Sequence, residues 1–103
     1  MADVTLALVN GRIRTGDPRR PVADAMAVAG AVLALVGSSA EVRKLAGKGP
    51  RVIDMRGGTV IAMPDSDAVL RRGAAASFAV FDSGTEFEQF RMLDGAIVLD
   101  AFA

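Results

Sequence analysis

Turn dipeptides punctuate this chain at intervals of roughly eight to twelve residues, a spacing that suits short strands. Val4 to Val9 is a β-leaning run followed by Asn10-Gly11, the pair best suited to a type I′ turn. Arg12 to Thr15 alternates polar and apolar, so it reads as the returning, half-exposed strand. Pro18 and Pro21 keep the next stretch in loop. Ala25 to Ala29 and Val32 to Val36 are apolar throughout and flank Gly30-Ala31, as expected of a hairpin deep in a sheet.

A single helix is predicted. Ser38 with Glu41 three residues on has capping-box spacing, in which hydroxyl and carboxylate each close an orphan N–H. Val42 and Leu45 share a face, Arg43 and Lys44 suit the C-terminal dipole, and Gly47 supplies the stop. Arg51 to Met55 and Thr59 to Ala62 read as a third pair around Arg56-Gly57-Gly58. Met63 to Ala76 is irregular, Ser77 to Asp82 is a strand, and Phe87 to Leu93 pairs with Ala96 to Asp100 across Asp94-Gly95. The pattern predicts an all-β fold: a small β-sandwich of about eight or nine short strands with one short helix.

Composition narrows the function classes. The 103 residues suit one domain, large enough to bury a core without metal or disulfide staples. Hydrophobic residues reach 51% and aromatics only 5%, so that core must be aliphatic. Twelve basic residues balance twelve acidic ones, without the basic excess of a nucleic-acid binder. The pairs Arg19/Arg20, Arg43/Lys44 and Arg71/Arg72 are separated by acidic and apolar stretches. Ala23 to Val36 is apolar but broken by Asp24 and Gly30 and too short to cross a bilayer. The acidic start Met1-Ala2-Asp3 is unlike a signal peptide, and zero Cys fits a reducing compartment. A cytoplasmic protein with neither membrane nor nucleic acid as partner is expected.

Candidate chemistry is sparse, because the chain has no histidine and no cysteine. Asp65-Ser66-Asp67 lacks the Gly and further oxygen ligands of a cation loop. Gly47-Lys48-Gly49 lacks the frame of a phosphate loop, and Gly57-Gly58 reads as a tight turn. Ser38, Ser39, Ser66, Ser77 and Ser83 have no histidine base, with only Lys44 and Lys48 as substitutes. Asp82 with Glu86, and Glu86 with Glu88, fall where solvated surface is expected, and acid–base work needs burial. Phe78, Phe81, Phe87, Phe90 and Phe102 are mainly core candidates. No catalytic, cofactor-binding or metal-ligating residue is assigned, and no cofactor is expected.

Several segments nevertheless follow a familiar order. Leu8-Val9-Asn10-Gly11-Arg12-Ile13, Ala25-Met26-Ala27-Val28, Val32-Leu33-Ala34-Leu35-Val36-Gly37 and Val52-Ile53-Asp54-Met55-Arg56-Gly57-Gly58-Thr59-Val60-Ile61 together resemble the N-terminal segment of metal-dependent amidohydrolases. That superfamily includes imidazolonepropionases, dihydroorotases and N-acyl amino-acid deacylases. Leu70 to Asp82 and Met92 to Val98 are similar to its C-terminal tail, with Ser77 in place of the usual Asp. The resemblance implies a composite β-sandwich: residues 1–62 as the N-terminal part, 63–76 as a linker, 77–103 as the C-terminal part. Family members carry a catalytic barrel of about 250 residues between the two parts. Here Met63-Pro64 leads almost directly into the tail, so the barrel and its His-x-His metal pair are missing. The resemblance therefore implies a non-catalytic remnant, or else a subunit that meets a barrel on a separate chain. The uncovered barrel-facing surface implies a homo-oligomer, most simply a dimer, with Met63, Val69, Leu70 and Phe102 as contributors.

Overall fold

The structure is a computed structural model and describes residues 3–63, 69–84 and 87–102. Among them, ten strands form two sheets packed as a β-sandwich, with one short helix on the outside. The strands are β1 (Leu6–Val9), β2 (Arg12–Arg14), β3 (Val22–Ala23), β4 (Ala25–Ala29) and β5 (Val32–Gly37). After helix α1 (Ser39–Ala46) come β6 (Arg51–Asp54), β7 (Thr59–Ala62), β8 (Phe78–Phe81), β9 (Glu88–Leu93) and β10 (Ala96–Asp100). The small excess over the expected count includes the two-residue β3, too short to leave an apolar run.

One sheet runs β5-β4-β1-β6 and the other β10-β9-β8-β7-β2-β3. Leu6, Leu8, Met26, Val28, Leu33 and Ile53 of the first sheet meet Ile13, Val60, Phe78, Val80, Phe90 and Met92 of the second. Phe78 and Phe90 stack with ring centroids 5.9 Å apart. The opposite face of the first sheet buries Ala7, Val9, Ala25 and Ala27 beneath Val42 of α1. Burial on both faces explains why β1 and β4 are apolar at every position.

The helix forms as its caps predict. The Ser38 hydroxyl accepts from the Glu41 N–H at 3.1 Å, and the Glu41 carboxylate accepts from the Ser38 N–H at 3.2 Å. Gly47, at φ 67°, stops the helix while its N–H donates to the Arg43 carbonyl. The β4–β5 and β9–β10 hairpins also form where expected.

Two expected hairpins do not form. β1 and β2 lie in different sheets, so Asn10-Gly11 is a corner, and only Asn10 of that pair has positive φ. The same holds for β6 and β7 around Arg56-Gly57-Gly58. The two corners run side by side, with β1 parallel to β6 and β2 parallel to β7. Turn dipeptides report a reversal of backbone direction or a change of sheet equally well, because both need φ > 0. The extra hydrogen bonds decide the outcome: Met55 N–H to Val9 O at 2.9 Å, Gly57 N–H to Asn10 O at 2.7 Å, and Arg12 N–H to Gly58 O at 2.8 Å.

Residues 69–76 are more than a loose loop. Leu70 is 2% exposed, its N–H donating to Thr15 O at 2.7 Å. Leu33 N–H donates to Ala74 O, Gly73 N–H to Leu33 O, and Ala76 N–H to Ala31 O, lining the outer edge of β5. Leu70 therefore joins the core instead of an exposed patch, and Phe102 is half-buried against Phe90. The apolar surface left outside lies on other residues, chiefly Leu93, Ile97, Val98 and Leu99 of β9 and β10.

The two hairpin turns touch. A Cβ on Gly95, at φ 83°, would fall 2.1 Å from the Gly30 carbonyl oxygen, whereas one on Gly30, at φ 63°, meets nothing within 4 Å. Gly95→Ala is expected to destabilise by more than about 3 kcal/mol and Gly30→Ala by about 1–2 kcal/mol, measured by urea unfolding. Equal losses would contradict this contact.

Candidate functional site

A groove of about 450 Å³ runs along the free edge of β6, between Arg51–Arg56 and the chain segment Ala101–Phe102. Phe81, Asp82 and Gln89 complete its lining. β6 pairs only with β1, and the C-terminal strand returns opposite it, so the groove is the open seam between the two sheets. An ion pair crosses this seam. The Arg51 guanidinium grips the Asp100 carboxylate through both Nη atoms, with Nη2–Oδ1 at 3.1 Å. Asp100 in turn accepts from the Phe102 N–H at 3.0 Å, which anchors the segment that fills the seam. The bond to Asp100 raises the Arg51 pKa above its ordinary value, so the guanidinium stays charged.

At the mouth of the groove, the Asp54 carboxylate accepts from the Arg56 N–H at 2.9 Å. That bond, with the Asn10 side chain second, holds its pKa below the usual aspartate value. A carboxyl kept ionised in this way is tuned away from general-acid work, which needs a raised pKa. The groove can hold a ligand by charge and apolar contact, but its described residues contain no nucleophile beside a base.

Several of the other residues singled out in sequence have structural partners. Ser39 Oγ bonds both the backbone N–H and the side chain of Asn10, tying the helix start to the first corner. Ser77 Oγ accepts from the Asp94 N–H at 2.8 Å, bracing the last hairpin. Glu88 pairs with Arg91 at 2.7 Å. Phe87 is 71% exposed, a correction to its expected place in the core. Asp65-Ser66-Asp67 and Glu86 lie outside the described residues. Among the described residues, no three acidic side chains gather as a metal site, and no helix is long and apolar enough to cross a membrane.

The structure does bring together two basic pairs that the sequence keeps apart. Arg19 and Arg20 share a pocket with Arg71 and Arg72. Their separation along the chain hid this, and the Leu70–Thr15 backbone bond holds the two segments side by side.

Asp54 and Glu41 supply a pH test. The Ser38 hydrogen bonds lower the Glu41 pKa as the Arg56 N–H lowers that of Asp54. Groups with depressed folded pKa stabilise above their unfolded pKa and lose that contribution as pH falls through the folded value. Thermal melts should therefore show a smaller loss of Tm between neutral pH and pH ~3 in Asp54→Asn/Glu41→Gln than in the parent. An identical loss in both would contradict the assignment.

No protein-family model matches the chain. It is similar to N-substituted formamide deformylase of Arthrobacter pascens, with 39% identity over 56 residues. That stretch is 54% of this chain but only 10% of the deformylase. It is also similar to a solved crystal structure of a Bacillus thuringiensis protein, with 30% identity and a TM-score of 0.56. The match covers 71% of this chain and 99% of that one. With nearly the whole of that protein matched at this identity, the present chain belongs to the same family as the Bacillus thuringiensis protein.

Proposed function

We propose that the protein is a non-catalytic interaction module, a composite amidohydrolase sandwich without its barrel, working in the cytoplasm as a homodimer. One observation carries the reading. Ala62 and Phe78 are directly paired in the β7–β8 ladder, and Met63 N–H donates to Ser77 O at 3.0 Å. The points where an inserted barrel would leave and rejoin the sandwich are therefore neighbours. Insertion and removal are both tolerated at such sites, because the host strands keep their pairing. The similarity to an amide-cleaving deformylase supports the same ancestry.

The dimer rests on β10. It is an edge strand whose Ile97, Val98 and Leu99 are exposed, and it carries neither Lys nor Pro to discourage pairing. A second copy would cover this strip. The deformylase match also favours a second reading, in which a separate barrel chain occupies the surface and supplies every metal ligand in trans.

Sedimentation of the purified chain should give a dimer, and Ile97→Lys/Val98→Lys should give a monomer with unchanged circular dichroism. A clean monomer of the parent at high concentration contradicts the dimer. The chain alone should neither retain stoichiometric zinc nor hydrolyse a hydantoin or a formamide; turnover by it would overturn the non-catalytic reading.

A further inference from the structure

We propose that the pocket between the Thr15–Arg20 loop and the Leu70–Arg72 segment binds a phosphate-bearing small molecule. This site is separate from the β10 edge and does not depend on what covers that edge. The pocket, of about 320 Å³, is lined by Arg19, Arg20, Arg71 and Arg72, with Asp17 as its one carboxylate. Val36 and Leu70 give it an apolar lining.

The pocket is built, not a chance meeting of surface chains. Thr15, 1% exposed, donates its hydroxyl to the Arg20 carbonyl and accepts from the Asp17 N–H at 3.0 Å. Thr15 N–H donates to Pro21 O, closing the first loop, and Leu70 N–H donates to Thr15 O, docking the second wall on the first. Arg20 Nη1 is fixed on the Val36 carbonyl at 3.1 Å. The Asp17 carboxylate already accepts from the Arg19 N–H at 2.9 Å, which turns part of its charge to the backbone.

Little of this positive charge is neutralised among the described residues, where Arg20 also acts on a second carboxylate, that of Glu41. The two ion pairs among the described residues are Arg51–Asp100 and Arg91–Glu88, and none of the four pocket arginines takes part in either. Four arginines lining the pocket, set against Asp17 and the Glu41 carboxylate near Arg20, still leave two positive charges in excess, more than a single carboxylate ligand could balance. A phosphate group offers two charges and three acceptor oxygens, and guanidinium forks match that geometry bidentately. Two of the four arginines come from the segment between β7 and β8.

The test uses the full chain, with inorganic pyrophosphate as probe at constant ionic strength. Pyrophosphate is expected to shift the amide resonances of residues 15–20 and 70–73 saturably. Arg71→Gln/Arg72→Gln should weaken its apparent Kd by at least about tenfold. Arg43→Gln/Lys44→Gln removes the same charge from the helix and should change Kd by less than about twofold. Equal weakening by both variants would reduce the effect to net charge and overturn the proposal. So would shifts confined to other residues, or binding to mixed phosphatidylcholine–phosphatidic acid vesicles without binding to pyrophosphate.

Discussion

The paired corner crossing is the constraint on which the rest of the structure depends. β1 and β6 run parallel in one sheet, then both chains bend at Asn10-Gly11 and Arg56-Gly57-Gly58 and continue parallel in the other as β2 and β7. A parallel pair cannot be closed by a tight turn, so the two strands need a long intervening connection. Here that connection includes the β4–β5 hairpin, which extends the first sheet, and α1, which covers its outer face. Backbone approach at the corners is close. A Cβ on Gly58 would lie 2.7 Å from the Phe81 carbonyl oxygen, so glycine at this position lets the chain enter β7 close beside the end of β8.

From that crossing the core follows. Each bent ribbon contributes side chains to both sheets, so Leu8 and Ile13, or Ile53 and Val60, enter one apolar cluster from opposite sides. Burying an aliphatic or phenylalanine side chain contributes about 1.5–3 kcal/mol, and more than a dozen such residues are shared across the interface. Among the described residues no buried side-chain polar atom is left without a partner. Residues 69–76 complete this arrangement. They seal the β5 edge and place Leu70 in the core. By the same bonds they carry Arg71 and Arg72 to Arg19 and Arg20.

Local features were legible in the sequence and long-range ones were not. Ser38, Glu41 and Gly47 announce the helix because capping is decided within one turn of chain. Asp94-Gly95, both with positive φ, mark a hairpin whose partner strands are adjacent in sequence. Asn10-Gly11 misleads because φ > 0 permits a corner as readily as a reversal, and the choice rests on β6, some forty residues away. Phe87 shows the same limit: its composition suggests core, yet its place before β9 leaves it outside. The arginine pocket was invisible for a related reason, since its halves lie some fifty residues apart and meet where Leu70 N–H bonds to Thr15 O.

The two sheets thus share one interior, built from strands that precede and follow residues 63–76. Native-state amide hydrogen exchange on the purified chain examines this most directly. The slowest amides of β1 and β4 and those of β7 and β8 should exchange with one common free energy, equal to that of global unfolding. Protection of β1, β4 and β5 alongside free exchange in β8 and β9 would show that the C-terminal strands are not part of the folded unit, and would contradict the account.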